Sequence, residues 1–427
     1  MERRKFIANT SAVILPALLN GFTVKALGRE NIFTSLLGSS DAETDRVLVI
    51  IQMFGGNDGL NTVIPVSNYG NYYNARKNLA IAENKILHVN GNSSFGFHPV
   101  LTGFRELYEE GKLAILQLVG YPAPNYSHFR SSDIWMSASD ATQSLNTGWA
   151  GRYLNQLHPQ YPEGYPNEQV QDPLAIQIGT ATSFVFQGNK SPMAVNIADP
   201  QNVYNLLNGF TDTAPKTNGG RQLDFIRLVA QQSQAYSQVI KKAADRVTLQ
   251  AEYPGNNSLA AQLKIIARLI KSGLKTKIYL ASFDGFDTHA QQVNSNDTST
   301  GRHADLLKTV GDAIKAFQND LEFLKIQDRV LGMTFSEFGR RIASNDSLGT
   351  DHGAAAPLFV FGAKVKGNIY GENPEIPDKV TLEDNLPMQT DFRKVYFTLL
   401  EDWMHVPKPE LIRMLYKDYR TIPIIQK

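Results

Sequence analysis

No cysteine occurs among the 427 residues. Its absence excludes disulfide bonds, thiolate metal ligands, cysteine nucleophiles and iron–sulfur clusters. The chain also lacks a large net charge of either sign. Its 42 lysine and arginine residues nearly balance its 41 aspartate and glutamate residues, which gives a formal net charge of +1. That balance argues against a nucleic-acid partner held by bulk charge. A run of about 18 apolar residues, the length that indicates a membrane span, is also missing, so we expect no transmembrane helix in the mature protein.

The first residues carry an export pattern. Arg3 and Arg4 are followed by Phe6-Ile7 and by a short, moderately apolar stretch over residues 11–19. Paired arginines before a short apolar stretch resemble a twin-arginine translocation signal. An ordinary basic amphipathic start is the alternative. We predict export by the twin-arginine pathway to the periplasm or the cell surface, which slightly favours a metalloprotein because this pathway carries folded proteins.

A polar stretch over residues 39–45 follows and is typical of a linker. We therefore predict that residues 1–44 are a signal peptide and linker. Residues 45–427 are predicted to form a single α/β domain with surface insertions. A hydrophobic fraction of 42% and an aromatic fraction of 10% allow a substantial core in that domain and exclude whole-chain disorder.

Apolar runs rich in β-branched residues predict strands that are buried on both faces. They lie at residues 46–53, 113–119, 174–178, 277–283, 329–335 and 357–361. Helical periodicity occurs between them, at residues 259–270 and 307–324. Strands that alternate with helices predict an α/β fold with a large, mainly parallel sheet and helices on both faces.

Ligands of parallel sheets gather beyond the carboxyl ends of the strands. Carboxylates and histidines, each close to a glycine, directly follow three of the predicted strands or come just before the 357–361 strand: Asp58, Asp287, His289 and Glu337 follow strands, and Asp351 and His352 precede that one. Carboxylate oxygen and imidazole nitrogen are ligands of divalent ions. We therefore predict one or two divalent metal ions at this edge, with zinc, manganese and calcium all open.

Each of these motifs also has a plainer interpretation. Asp58 between glycines is common in turns. Glu337 and Arg340 could form a structural ion pair, and the histidine motifs could make loop hydrogen bonds or cap a turn. The occurrence of all four motifs at the strand ends of one predicted sheet favours a common site.

A candidate nucleophile follows the 113–119 strand. Ser127 would attack once a metal lowers the pKa of its hydroxyl, and His128 or Arg130 would steady the oxygens of the transferred group. Arginine suits this role because its planar fork matches phosphate or sulfate. The alternative is a helix start capped by Asn125 or Ser127, and the residues leave both open.

Motifs in order along the chain resemble the widespread exported bacterial family called domain of unknown function 1501. They are Phe54-Gly-Gly-Asn-Asp-Gly, Ser127-His-Phe, Phe286-Asp-Thr-His289, Ser336-Glu-Phe-Gly-Arg340 and Gly349-Thr-Asp-His-Gly353. The family is similar to the alkaline phosphatase and sulfatase superfamily. This resemblance implies an alkaline-phosphatase-like fold with metals at the carboxyl edge of its sheet and a Ser, Thr or formylglycine nucleophile.

The resemblance also implies roles for individual residues. Asp58 resembles the first-strand aspartate, Ser127 falls near the nucleophile, and Asp287 and His289 resemble the pair of ligands on one metal. The residues argue against a formylglycine nucleophile, because there is no cysteine and Ser127-His-Phe-Arg lacks the proline of the modification motif.

The later motifs allow two assignments. By its letters, Asp351-His352-Gly353 resembles the Asp-His-Gly of the superfamily. By position, Glu337 stands where that motif normally sits and His352 where the last histidine ligand sits. We prefer the positional assignment, which puts Phe338 in place of a histidine of the second metal. The resemblance then implies that one metal site is altered or absent.

These features together predict an exported metal-dependent hydrolase or transferase that acts on phosphate or sulfate esters of small molecules or glycans. Ser127 attacks in this interpretation, and Arg130 or Arg340 helps to stabilise the developing charge. The alternative is a non-catalytic surface binding or assembly protein with a degenerate metal site and a protein partner. Phe338 favours this alternative, and Ser127 favours the enzyme.

Overall fold

The computed structural model describes residues 45–179, 182–197 and 217–426. The predicted signal peptide, with almost all of its linker, lies outside these ranges. Within them, no helix is long and apolar enough to cross a membrane.

Most strands of the described residues belong to one large sheet. The strands are β1 (Val47–Met53), β2 (Val63–Ile64), β3 (Leu87–Val89), β4 (Asn92–Phe97), β5 (Leu113–Gly120), β6 (Ala175–Ile178), β7 (Ala194–Ile197), β8 (Ile278–Phe283), β9 (Val330–Phe335), β10 (Gly339–Arg340), β11 (His352–Gly353), β12 (Ala356–Phe361), β13 (Asn368–Tyr370) and β14 (Thr390–Asp391). The six strands predicted from apolar runs are all present, with ends shifted by one residue at most.

The α-helices lie between and after these strands. They are α1 (Gly59–Thr62), α2 (Tyr69–Ala75), α3 (Thr102–Glu109), α4 (His128–Ser137), α5 (Trp149–Leu157), α6 (Asn218–Asp245), α7 (Ser258–Lys271), α8 (Arg302–Phe323), α9 (Phe392–Thr398) and α10 (Lys408–Leu415). A π-helical turn, Leu399–Trp403, extends α9. Short 3-10 turns occur at Val66–Asn68, Glu83–Lys85, Phe184–Phe186 and Gln327–Arg329. The two helices predicted from periodicity correspond to α7 and α8.

The main sheet has nine strands in the order β13-β5-β12-β9-β1-β8-β6-β7, with β14 also paired to β5. Only β12 runs antiparallel to its neighbours β5 and β9, and the other described pairs of this sheet are parallel. The predicted α/β fold with a large, mainly parallel sheet is therefore confirmed. Two small antiparallel sheets, β2-β4-β3 and β10-β11, stand beside it.

The burial of β1 shows that both faces of the sheet are covered. All seven of its residues are buried, from Val47 to Met53. Because successive side chains of a strand point to opposite faces, complete burial requires packing on both. Helices α3, α6, α7 and α8 contact one another in one group, and α5, α9 and α10 in another.

One edge of the sheet collects the segments that carry polar motifs. Strands β5, β9, β1 and β8 end at this edge, and the reversed strand β12 begins there. These five strands are consecutive in the sheet. The segments over residues 54–58, 121–128, 284–289, 336–341 and 349–355 are therefore neighbours in space, although they are far apart in the chain.

Candidate metal centre

Three histidine rings surround the carboxylate of Asp287. From its Oδ1, the Nε2 atom of His352 lies 3.2 Å away and that of His289 lies 3.3 Å away. The Nε2 atom of His128 lies 3.4 Å from Oδ2. His128, Asp287 and His352 each offer a ligand atom, and these atoms lie within 4.8 Å of one another. The structure thus brings one carboxylate and three imidazoles together.

An oxygen atom holds the opposite nitrogen, Nδ1, of each ring. Two of these oxygens belong to carboxylates and the third to a main-chain carbonyl. The pairs are His128 with Glu337 Oε1 (2.7 Å), His289 with Asp351 Oδ1 (2.9 Å) and His352 with the carbonyl oxygen of Tyr126 (2.7 Å).

These contacts decide which nitrogen carries the proton. A carbonyl oxygen and an ionised carboxylate only accept hydrogen bonds, so each Nδ1 donates its N–H. In a neutral ring, Nε2 then presents a lone pair toward Asp287. The Nε2 atoms of His289 and His352 are 2.8 Å apart. Two lone pairs at this distance repel each other unless a proton or a metal ion lies against them.

A divalent ion fits His128, Asp287 and His352, and His289 lies beside two of these ligands. Zinc–nitrogen bonds of about 2.0–2.1 Å place neighbouring ligand atoms roughly 3 Å apart, close to the separations around Asp287. Histidine ligands of metals usually donate their other N–H to a carboxylate or a backbone carbonyl, which fixes the tautomer and the orientation of the ring. The side chains of Asp287 and His289 are 45% and 44% exposed, so the centre is open to solvent.

Arg340 fixes the Asp287 carboxylate from inside the protein. Its Nη2 donates to Asp287 Oδ1 at 2.8 Å, and the arginine side chain is fully buried. Partial burial raises the pKa of Asp287, but the hydrogen bond and the charge of Arg340 outweigh that effect and lower the pKa to about 2. Asp287 is therefore an anion at any physiological pH.

The remaining N–H groups of Arg340 bind the backbone of neighbouring loops. They donate to the carbonyl oxygens of Gly55, Gly56, Phe286 and Thr350. A Cβ on Gly55 would lie 2.3 Å from the backbone nitrogen of Asp287, so the approach of these loops requires glycine at that position. Arg340, predicted to stabilise transferred charge, thus lies buried behind Asp287 and binds its carboxylate.

Glu337 and Asp351, both predicted as metal ligands, lie behind two of the histidines. Glu337 is completely buried, and its Oε1 also accepts the backbone N–H of Gly55 at 2.9 Å. Burial raises the pKa of Glu337 despite the hydrogen bonds that it accepts. The structure gives both carboxylates a role in orienting a ring, and it brings His128, predicted to steady the transferred group, into the donor set.

Asp58 is the predicted ligand that the structure pairs elsewhere. Its two oxygens lie 2.8 and 2.7 Å from Nη1 of Arg76, and Oδ2 also accepts from Gln292 at 2.6 Å. Burial raises the pKa of Asp58, but the charges of Arg76 and His303 and these hydrogen bonds outweigh it, so that the pKa is lowered. A carboxylate neutralised in this way has no oxygen turned to the histidine centre.

The predicted nucleophile stands at the start of α4. Ser127 is the N-cap residue, as the helix-start alternative has it, but its side chain makes no capping hydrogen bond. Ser127 lies directly between Tyr126, whose carbonyl holds His352, and His128. Arg130 is turned away, because its Nη2 donates to the carbonyl oxygens of residues 140, 141 and 143.

Phe338 forms a wall of the centre. Its ring centroid lies 4.3 Å from that of His352 and 4.9 Å from that of His128, and the residue is buried. The phenylalanine packs on the two imidazoles and offers no ligand atom. Its position agrees with a single metal centre.

Sequence reasoning missed the carbonyl of Tyr126. No motif identifies a main-chain oxygen as a partner of a histidine 226 positions away, because every residue carries one. The one available signal was that Tyr126 lies two positions before His128.

Residues 116–413 match a family described as Protein of unknown function (DUF1501). The match covers more than half of the chain and includes Asp287, the three histidines, Glu337 and Arg340. The chain belongs to this family. No functionally curated protein matches it.

Several solved structures are similar to this chain at low sequence identity. An alkaline phosphatase superfamily protein from Vibrio parahaemolyticus is 12% identical, with 88% of this chain and 71% of the other covered and a TM-score of 0.37. Ps i-CgsB, solved in complex with k-i-k-neocarrahexaose, is 11% identical, with 88% and 73% covered and a TM-score of 0.37. The C-terminal periplasmic domain of EcEptC from Escherichia coli, solved with Zn, is 10% identical, with 74% and 73% covered and a TM-score of 0.32.

Asp58→Asn should destabilise the fold without emptying the metal centre. The change leaves the buried charge of Arg76 without its partner, which costs about 3–5 kcal/mol of unfolding free energy. Urea denaturation would measure this cost, and elemental analysis would measure metal in the folded variant. Asp287→Asn, which also removes the carboxylate partner of the buried Arg340, is the comparison and should lose metal. Normal stability together with lost metal in Asp58→Asn would contradict this assignment.

Glu337→Gln should weaken metal binding about 10–100-fold, because an amide orients the His128 ring less strongly than a carboxylate does. Competition with a metallochromic chelator would measure the affinity. Glu106→Gln, at a glutamate of α3 whose side chain is 49% exposed, serves as the control and should bind metal as the parent does. Equal affinity of Glu337→Gln and the parent would show that Glu337 does not act through His128.

Proposed function

We propose that the protein is a metal-dependent hydrolase or transferase of phosphate or sulfate esters. The observation that carries this proposal is the convergence of three Nε2 atoms on Asp287, each with its Nδ1 bound to an oxygen. Such a centre is suited to transfer of a group from an anionic ester, because it lies beside Ser127, whose side chain makes no capping hydrogen bond.

The donor set favours zinc or another first-row transition metal over calcium. Three imidazoles and one carboxylate suit zinc and other first-row transition metals, whereas calcium takes six to eight oxygen ligands. We propose a single ion held by His128, Asp287, His289 and His352. Such an ion, when bound, draws charge from the ester oxygens and lowers the pKa of a hydroxyl or water beside it.

Ser127 is the proposed nucleophile. Its neighbours Tyr126 and His128 are both tied to the centre, which keeps the serine backbone close to it. In the first step the Ser127 Oγ loses its proton and bonds to phosphorus or sulfur, while the alcohol of the ester leaves with a proton. Water then releases the group in a hydrolase, and a second alcohol accepts it in a transferase.

Metal content and turnover test the proposal together. Purified protein should contain close to one zinc-type ion per chain, and a His289→Ala, His352→Ala double variant should contain none, because only two ligands remain. Turnover would be measured with aryl phosphates and aryl sulfates. Ser127→Ala should retain the metal and lose at least about a thousandfold in kcat.

The outcomes separate the parts of the proposal. A parent that binds no divalent ion when offered one would overturn metal-dependent ester chemistry. Turnover that survives in Ser127→Ala but not in the histidine variant would make a water molecule the nucleophile.

A non-catalytic binding or assembly protein is the second candidate. Phe338 favours it, because an apolar ring that offers no ligand atom packs against both His128 and His352. Bound metal without turnover of any phosphate or sulfate ester would support this candidate.

We also propose export through the twin-arginine pathway, on the basis of the N-terminal residues. Arg3→Lys together with Arg4→Lys should keep the protein in the cytoplasm, because the pathway reads the arginine pair. Cell fractionation with immunodetection would measure it. Unchanged export of the double variant would contradict the assignment.

A further inference from the structure

A second arginine lies at the rim of the metal centre. Arg341 follows Arg340 in the chain, but its side chain is 18% exposed rather than buried. Its Nε donates to the carbonyl oxygen of His352 at 3.2 Å, and its Nη1 donates to that of Leu382 at 2.6 Å. Two backbone bonds therefore fix the guanidinium beside a proposed metal ligand.

The remaining contacts of this guanidinium are weak or absent. Nη1 also binds the carboxylate of Glu383, whose side chain is 83% exposed. Pairs with so exposed a partner contribute little to stability and are readily broken. Among the described residues, no acceptor lies within hydrogen-bonding distance of Nη2. Arg341 is thus held in place with N–H donors still available.

The ring of Tyr126 lies beside the Arg341 guanidinium. The Arg341 guanidinium carbon lies 6.0 Å from the ring centroid, and Tyr126 is 37% exposed. The carbonyl of the same tyrosine holds His352. Arg341 and Tyr126 are therefore both bound to His352, one through its carbonyl oxygen and the other through its ring.

We propose that Arg341 and Tyr126 form a subsite for a second anionic group of the substrate, which displaces Glu383. The substrate class is then a phosphate or sulfate ester whose alcohol carries another carboxylate, phosphate or sulfate. The inference rests on the proposed function, since the metal centre binds the first anionic group. A local cation is needed for this selection because the chain as a whole has a net charge of only +1.

Two matched probes test the subsite without requiring turnover. 3-Phosphonopropionate and its amide, 3-phosphonopropionamide, differ only in the second charge. Calorimetric titration of the zinc-loaded parent should show the acid binding about tenfold more tightly than the amide, as a charge-assisted hydrogen bond allows.

Three variants give the expected pattern. Arg341→Gln should bring the affinities for acid and amide to within a factor of about two, since the charge is gone. Glu383→Gln should bind the acid a few-fold more tightly than the parent, because it removes the competing carboxylate. Arg413→Gln, at an exposed arginine of α10, is the matched control and should keep the tenfold preference.

The possible failures are distinct. Equal binding of acid and amide by the zinc-loaded parent overturns the subsite and leaves the metal centre intact. A preference for the acid that persists in Arg341→Gln shows that the carboxylate of the probe contacts the metal. This result also overturns the subsite. Absence of bound zinc in the parent, measured beforehand, overturns the proposed function itself. Unchanged affinity for the acid in Glu383→Gln counts against displacement even if Arg341→Gln fails to fold.

Discussion

The buried guanidinium of Arg340 is the interaction on which the candidate centre depends. A charge removed from water is tolerated only where its N–H groups all find acceptors, and here the acceptors are four backbone carbonyls and Asp287. Those carbonyls belong to the loop after β1, the loop after β8 and the segment before β12. Their relative positions are fixed by this one side chain, and the orientation of Asp287 with them.

Two aspartates at strand ends illustrate how surroundings decide chemistry. Both oxygens of Asp58 bind the buried guanidinium of Arg76, and one of them also accepts from Gln292. Asp287 also binds an arginine, but it is half exposed and faces three Nε2 atoms that lack protons when their rings are neutral. The oxygen behind each ring binds the proton at Nδ1, and in metal sites of this kind such a contact fixes the tautomer and the orientation of the ring.

Much of the fold could be predicted from the sequence, because its signals are local. Strands such as β1 are apolar throughout, and α8 repeats its apolar residues with helical spacing. Both patterns indicate which faces of these elements are buried. The antiparallel direction of β12 has no such signal, because the run of apolar residues that predicts a buried strand is the same for a parallel and an antiparallel strand. His352 comes just before β12 in the chain. Because β12 is antiparallel to its neighbours, it begins at the edge where they end, and His352 therefore lies at the same edge as Asp287.

The sequence by itself determined that carboxylates and histidines stand at strand ends, and that a parallel sheet gathers such ends at one edge. Only the tertiary structure decided their division of labour. Glu337 and Asp351 each bind an imidazole, Asp58 pairs with Arg76, and the His128 ring faces Asp287, because each contact depends on which side chain lies within about 3 Å of another. Distances of this kind follow from the packing of whole loops, and no residue type or spacing along the chain encodes them.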